Sequence, residues 1–301
     1  MAAVAESITT TGAWEWRATG TTWRIHHTGG VEAGLAATIA RAVERDEARW
    51  SRFRPDSEVA RVNASAGRAV HVSPATLDLL EVCVYWIRAT GGVFQPLVGG
   101  ALVAWGYRRS LNDRAAYART SPDPRRLEGR PQIDRRQGTA MIPAGTRLDL
   151  GGIAKSWMAA RAAGLLRGRC DDPAVLVDAG GDLVAARGRH LVAVEDPRGP
   201  DAPPVARVWV EEGQGVATSG FGRRRWQNGD GRAAHHLIDP ETGAPGPRTH
   251  ATVVADDPVA ADVLAKVLTL RPGRIAVLDE AAMVMVDAGI RVTAAWAEVT
   301  A

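Results

Sequence analysis

The 301 residues are enough to bury one large core or two intimate lobes, and a content of 46% hydrophobic and 24% charged residues is typical of globular proteins. A formal net charge of +3 without a long basic run argues against a nucleic-acid partner, and no apolar run is long enough to cross a membrane. The first residues contain neither a secretion signal nor a cysteine for a lipid anchor, so we expect a cytoplasmic protein, although a chain trimmed at its N-terminus would look the same.

The spacing of apolar residues predicts helices and strands in separate groups. Strands are expected, in chain order, at 20–26, 146–150, 174–178, 190–195 and as several short strands within 205–256. Helices are expected, in chain order, at 31–49, within 51–65, at 75–90, from about 153 to 167 and at 258–270. Residues 108–138 predict a surface excursion, and "NGDG" at 228–231 predicts a hairpin. This grouping favours an α+β fold over a doubly wound parallel sheet.

A pair of glycines, Gly151 and Gly152, stands between a predicted strand and a predicted helix in "RLDLGGIAKSW". Such a junction lets an anion approach the free N–H groups of the helix start. Lys155 lies in the first turn, where a cation opposes the helix dipole unless an anion binds there. An ordinary tight turn with a solvated lysine explains the same residues, and the motif on its own favours that simpler interpretation.

Two apolar strands end in polar corners. In "VDAGGD", Gly180 and Gly181 permit close approach to the backbone and Asp182 adds an acceptor, but no G-x-G-x-x-G motif of a dinucleotide fold is present. In "VATSG" (216–220), two hydroxyls could bind a phosphate or a carbonyl group. A hairpin corner and a plain strand end remain the alternatives.

Two adjacent histidines, His235 and His236, begin the polar stretch "HHLIDPETGAP". If they lie on a strand, they point to opposite faces, so only one of them can face a cleft. That histidine could act as a base near neutral pH, whereas the other is expected to be structural. No histidine and cysteine spacing typical of zinc is present.

The chain contains only two lysines, Lys155 and Lys266, beside 35 arginines. Lys266 lies in "DDPVAADVLAKVLTL", where Asp257 before a proline predicts a helix start. Asp262 and Lys266 have the spacing of an ordinary intrahelical ion pair. The rest of this helix is almost wholly apolar, so we expect it to be buried and the pair to face a cleft.

The order of these motifs resembles the FAD:protein FMN transferase (ApbE) family over about residues 18–290. The matching stretches are, in chain order, "GTTW" (20–23), "SRFRPDSEVARVN" (51–63), "GGVFQPLVGGALVAWGY" (91–107), "LDLGGIAKSW" (148–157), "VDAGGDL" (177–183), "VEDP" (194–197), "VATSG" (216–220), "HHLIDPETGAP" (235–245) and "TVVADDPVAADVLAK" (252–266). Each stretch alone is weak, and their shared order is what makes the resemblance specific.

The resemblance implies one α+β, T-fold-like domain over 1–301, with mostly antiparallel sheets and a central flavin cleft. It implies that FMN is moved from FAD to a threonine or serine hydroxyl of an acceptor protein, with release of AMP and help from Mg²⁺. His236 would be the base, with Lys155 and Asp262 as further catalytic residues. The metal would be held by the carbonyl of Ala154 and the carboxylate of Asp262. The residues expected to contact FAD are Gly20, Thr21, Ser57, Gly151, Gly152, Lys155, Asp178, Gly180, Gly181, Asp182, Thr218, Ser219, Gly220 and His236.

This chain departs from the family's usual pattern at several positions. Gln95 replaces an aspartate, Ser156 a glycine, Ala160 an aspartate and Thr19 a methionine. Lys266 stands where a threonine usually helps to hold the metal. Because an ammonium cannot ligate Mg²⁺ and repels it, Lys266 either supplies the positive charge itself or pairs with Asp262 and abolishes the metal site.

Two other functions fit the same residues. An FAD pyrophosphatase would use water in place of the acceptor hydroxyl and release FMN and AMP. A non-catalytic FAD-binding protein would keep the flavin intact, and the altered metal position favours it.

Overall fold

The computed structural model describes residues 11–108, 126–199, 201–222, 224–228, 231–286 and 289–301. The helices in this part of the chain are α1 Ala33–Trp50, α2 Glu58–Ala64, α3 Pro74–Ala89, α4 Gly99–Ala104, α5 Ala154–Arg167, α6 Pro258–Leu270 and α7 Trp296–Val299. The strands are β1 Gly12–Ala18, β2 Thr21–His27, β3 Val70–His71, β4 Gln132–Asp134, β5 Thr139–Met141, β6 Val175–Asp178, β7 Asp182–Arg187, β8 His190–Val194, β9 Ala206–Val210, β10 Gly215–Gly220, β11 Arg225–Gln227, β12 Ala233–His235, β13 Ile238–Asp239, β14 Ala244–Pro245, β15 His250–Ala255, β16 Ala281–Val286 and β17 Gly289–Val292.

The chain divides into two compact units. The first comprises Met1–Arg45, Lys155–Gly222 and Arg248–Ala301, and the second comprises Asp46–Ala154 and Arg223–Pro247. Antiparallel sheets with packed helices confirm the predicted α+β class. The interpretation of 1–301 as one domain stays a prediction. None of the described helices is long and apolar enough to span a membrane.

The first unit contains an eight-stranded antiparallel sheet in the order β1-β2-β6-β7-β10-β15-β16-β17. Strand β6 is buried along its whole length, as expected for an apolar strand that is covered on both faces. Helix α6 contacts β7, β10, β15 and β16. Buried apolar side chains of β6, β7, β10, β15 and β16 and of the β8–β9 pair form a hydrophobic core together with Trp296.

Helix α6 begins and is buried as its sequence predicts. The side chain of Asp257 accepts a hydrogen bond from the Val259 N–H at 2.9 Å, and Pro258 occupies the first helical position. Ten of its thirteen residues are buried, Asp262 among them, because the helix is apolar on nearly all sides.

The second unit contains α2, α3 and α4 with three small antiparallel sheets, β3-β5-β4, β11-β12 and β13-β14. The pairing of β11 with β12 confirms the predicted hairpin, although residues 229 and 230 lie outside the described ranges. Trp105 and Trp226 form the centre of an apolar cluster in this unit. The Trp226 indole N–H donates to the Trp105 carbonyl at 2.9 Å.

Three expectations for secondary structure were wrong or incomplete. Residues 146–150 do not form a strand. The Asn63 side chain donates to the Leu148 carbonyl at 3.0 Å and accepts from its N–H at 2.6 Å, and Arg147 forms only an isolated bridge with Val98. Strand β1 has no counterpart among the predicted strands. The surface excursion predicted at 108–138 contains strand β4, and residues 109–125 lie outside the described part of the chain.

The buried carboxylate of Asp172 ties together the chain segments around the paired strands β2 and β6. It accepts hydrogen bonds from the Thr28 side chain and from the backbone N–H groups of Thr28, Gly29, Gly30 and Ala174. Burial acts to raise the pKa of Asp172, but these hydrogen bonds outweigh it and lower the pKa to about 2. Asp172 thus fixes the start of the strand that leads to the "AGGD" turn.

Replacing Asp172 by alanine is expected to lower the free energy of unfolding by about 2 kcal/mol at neutral pH, because the folded-state pKa lies below the ordinary value. A depressed pKa stabilises the fold above the unfolded-state pKa. The difference between parent and variant should therefore shrink as the pH falls from about 4 towards about 2. Urea denaturation at several pH values measures the loss of stability and its pH dependence. Asp171→Ala, at the exposed neighbouring position, is the control. Equal losses for the two variants would contradict this assignment.

Candidate functional site

Five polar residues converge in the first unit and form what we call the Asp262 cluster: Lys155, Ser156, Asp182, Asp262 and Lys266. The first turn of α5 positions Lys155 and Ser156, and Asp182 is the first residue of β7. Helix α6 positions Asp262 and Lys266 four residues apart. Both lysines of the chain therefore lie in one cluster.

Both oxygens of the Asp262 carboxylate are bound by protein groups. The Lys266 ammonium donates to Oδ1 and, at 3.3 Å, to the Asp262 backbone carbonyl. The Ser156 hydroxyl donates to Oδ2 at 2.9 Å. A second ion pair joins the Lys155 ammonium to Asp182. Two ammonium groups thus stand beside two carboxylates in a largely buried site.

Burial and the neighbouring charges both affect the pKa of Asp262. Burial raises the pKa of Asp262 above its usual range, and the negative charge of Asp182 raises it further. The positive charges of Lys266 and Lys155 act in the opposite direction. The two lysines therefore favour the ionised form of Asp262, whereas burial and Asp182 disfavour it.

The donor set around Asp262 does not fit the Mg²⁺ site that the family resemblance implies. Mg²⁺ requires an octahedral set of oxygen ligands, and an ammonium already occupies Oδ1. A divalent ion about 4 Å from the Lys266 ammonium would be repelled by about 8 kcal/mol at an effective dielectric constant of about 20. Within the described ranges, no three histidine, cysteine, aspartate or glutamate side chains are grouped to hold a metal.

The "AGGD" turn is built around the Asp178 carboxylate. Its Oδ1 accepts hydrogen bonds from the N–H groups of Gly180 at 2.7 Å and Gly181 at 2.8 Å. Gly180 has a φ of +74°, and a Cβ placed there would collide with the Thr21 side chain. The close contact between Gly180 and Thr21 therefore needs glycine for two reasons, backbone conformation and space. This turn leads directly into Asp182 of the cluster.

The "VATSG" corner forms the end of β10, where it pairs with β15. The hydroxyls of Thr218 and Thr252 lie 2.9 Å apart and are hydrogen bonded to each other. The Ser219 carbonyl accepts from a threonine hydroxyl of α6 at 3.2 Å, which links this strand to the helix that carries Asp262. A Cβ at Gly220 would collide with the imidazole of His250.

His250 is a buried neighbour of this corner that the motifs did not identify. Burial lowers the pKa of His250 to about 4, so its imidazole is neutral near pH 7. It lies opposite Gly220 in the strand pair, and its ring centroid is 4.8 Å from that of Phe221. The place of His250 beside this corner follows from the pairing of β10 with β15 and not from a sequence motif.

Of the remaining predicted site residues, Gly20 lies in the turn between β1 and β2 of the first unit, and the others belong to the second unit. Ser57 caps α2, where its hydroxyl accepts from the Ala60 N–H at 2.9 Å. Gly151 and Gly152 form the turn before α5, and Ala154 is the first residue of that helix. The Gly151 N–H donates to the Asp149 carboxylate at 2.8 Å.

The two histidines of the second unit differ as expected. His235 is buried, and its Nε2 is hydrogen bonded to the Gly246 carbonyl at 3.0 Å. His236 follows the end of β12 and is half-buried, with its backbone N–H bonded to the Arg224 carbonyl at 3.2 Å. His235 is thus the structural member of the pair.

Two further departures from the family pattern have structural partners in this chain. The Gln95 amide donates to the Gly129 carbonyl at 3.2 Å and accepts from the Leu97 N–H at 3.1 Å. The Thr19 hydroxyl accepts from the Trp23 indole at 3.0 Å. The half-buried Ala160 of α5 supplies no polar group.

Known proteins resemble this chain over most of its length. The sequence profile of the ApbE family matches residues 19–284. A curated FAD:protein FMN transferase of Treponema pallidum is 33% identical over 231 residues, which are 67% of this chain and 61% of that protein. This chain therefore spans less than two thirds of that relative's length. A curated FAD:protein FMN transferase of Klebsiella pneumoniae is 28% identical and aligns with 77% of this chain and 74% of its own.

Solved structures show the same fold. The ApbE protein of Thermotoga maritima matches with a TM-score of 0.82 and 24% identity, over 95% of this chain and 98% of that one. The apo form of the Pseudomonas stutzeri flavinyl transferase ApbE matches with a TM-score of 0.77 and 22% identity, over 99% and 98%. The expected ApbE-type α+β architecture is confirmed.

The collision at Gly180 can be separated from backbone strain. Gly180→Ala and Gly20→Ala both place a side chain at a φ near +70°, but Gly20 has open space around it. We expect Gly20→Ala to cost about 1 kcal/mol of unfolding free energy, and Gly180→Ala about 2 kcal/mol more. Urea denaturation measures both variants. If they were equally stable, the contact with Thr21 would not constrain the turn.

Proposed function

This chain belongs to the ApbE family, and we propose that it transfers FMN from FAD to a threonine or serine hydroxyl of an acceptor protein. The curated relatives, which are FAD:protein FMN transferases, support the proposal. The observation that carries it is the Asp262 cluster, because its two ammonium groups suit a diphosphate anion.

The proposed reaction replaces a phosphoanhydride bond of FAD with a phosphate ester bond to the acceptor. The acceptor oxygen bonds to the phosphorus on the FMN side of the FAD diphosphate, and the bond from that phosphorus to the bridging oxygen breaks. AMP leaves with the bridging oxygen. Lys155 and Lys266 would stabilise the negative charge that develops on this leaving group, since phosphoryl transfer depends mainly on positioning and charge.

We propose His236 as the base that takes the proton of the acceptor hydroxyl. An imidazole can accept a proton near neutral pH, and this side chain is half-buried rather than enclosed. His235 is buried, whereas His236 is half-buried, which makes His236 the better choice of the two.

The remaining roles are proposals from the family resemblance. Lys155 and Asp262 would act beside the diphosphate, and the glycine turns with Thr218 and Ser219 would line the flavin nucleotide. The Mg²⁺ that the resemblance implies would be held by Ala154 and Asp262. The ammonium on Asp262 argues against that ligand set.

Incubation with FAD and an acceptor protein known to be flavinylated by another family member tests the activity. A covalently fluorescent acceptor and an equal amount of AMP are expected. Free FMN and AMP without labelled acceptor would instead indicate a pyrophosphatase. Intact FAD that stays bound would indicate a non-catalytic binder.

Replacing His236 by glutamine is expected to slow transfer by about 10²- to 10⁴-fold, the usual contribution of a general base, while FAD affinity stays within about twofold. Flavin fluorescence measures binding, and the labelled acceptor measures transfer. The control is His71→Gln, at an exposed histidine of β3. Unchanged labelling by the His236 variant would exclude it as the base.

A further inference from the structure

The Lys266 ammonium is held in place by its surroundings. Its side chain is 16% exposed, and the Asp262 side chain that it contacts is 4% exposed. Two of its contacts, Oδ1 and the backbone carbonyl of Asp262, come from the preceding helical turn. Its neighbours on α6 are mostly apolar, and the hydroxyl of Thr269 on the same helix donates to the Ser219 and Ala265 carbonyls. The cation is therefore fixed where a metal on Asp262 would otherwise stand.

Ser156 completes this arrangement from a different helix. Its hydroxyl holds Oδ2 of the same carboxylate, so the Asp262 side chain is fixed from both sides. The family resemblance implies different residues at both Ser156 and Lys266. Both departures meet on one carboxylate, although 110 residues separate them along the chain.

Lys266 can still bind an anion. An ammonium has three N–H donors, and the described contacts of Lys266 are both to Asp262. Lys155 adds a second ammonium, paired with Asp182. A diphosphate placed at the cluster would receive donors from two fixed cations without any need for a bridging ion.

We propose that the Lys266 ammonium, fixed on Asp262, takes the place of a divalent cation, so that the Asp262 cluster binds the FAD diphosphate without Mg²⁺. This inference rests on the proposed function only in taking FAD as the ligand. Its chemistry applies to a nucleotide diphosphate in general.

Titrations of the full chain with FAD and with ADP, in EDTA and in excess Mg²⁺, test the inference. We expect both ligands to bind in EDTA, and Mg²⁺ to change the Kd by less than about twofold. Tightening of about tenfold or more by Mg²⁺ would overturn the inference, as would failure of both ligands to bind in EDTA. Binding of ADP but not of FAD would support the metal-free site while overturning the proposed function.

Two variants of Lys266 separate charge from metal ligation. Lys266→Thr removes the ammonium and adds a hydroxyl, so FAD should bind about tenfold or more weakly in EDTA and recover in Mg²⁺. Lys266→Met is the matched control, since it removes the same charge without adding a ligand; it should weaken binding similarly and not recover. Recovery of both variants, or of neither, would overturn the substitution of ammonium for metal.

A Mn²⁺ titration followed by electron paramagnetic resonance, with ADP present, gives a direct measure of metal binding. The parent chain should take up no more Mn²⁺ than ADP alone, whereas Lys266→Thr should bind an additional ion. Thermal unfolding of each variant shows whether the fold is retained. Tight binding of Mn²⁺ by the parent would overturn the inference.

Discussion

The burial of one carboxylate constrains the candidate site. Asp262 lies on an apolar helix that packs against the main sheet, and an ionised carboxylate in such a place requires a positive partner. Lys266 supplies that charge from the next turn, and Ser156 supplies a hydrogen bond from α5. Because the buried carboxylate needs a positive partner, the stability of α6 depends on the charges of the cluster. A site built this way contains its own fixed cation.

The sheet brings the polar corners to this carboxylate. Asp178 closes the glycine turn between β6 and β7, and the next residue after that turn is Asp182 of the cluster. Strand β10, with its hydroxyls, is bonded to α6 through Ser219. Two segments that look like ordinary strand ends in isolation therefore lie side by side, because β7 pairs with β10 and α6 packs against both strands.

Local signals predicted much of this, and contacts between distant residues did not follow from them. The cap, the burial of α6 and the Asp262–Lys266 pair could be predicted because each depends on residues within a few positions. The contact of Ser156 with Asp262 joins residues 106 positions apart, so no periodicity encodes it. Likewise, residues 146–150 have an apolar pattern typical of a strand, yet the backbone of Leu148 is hydrogen bonded to the side chain of Asn63, 85 positions away. Because side chains alternate along a strand, the sequence predicted that only one of the two histidines faces a cleft. The hydrogen bond to the Gly246 carbonyl indicates that His235 is the other, structural one.

A crystal structure of the protein grown with FAD and excess Mg²⁺ tests the central claim most directly. The account predicts that oxygens of the FAD diphosphate lie within hydrogen-bonding distance of the Lys155 and Lys266 ammonium groups, with Lys266 still on Asp262. A Mg²⁺ ion between Asp262 and the diphosphate, with the Lys266 side chain turned away, would contradict it.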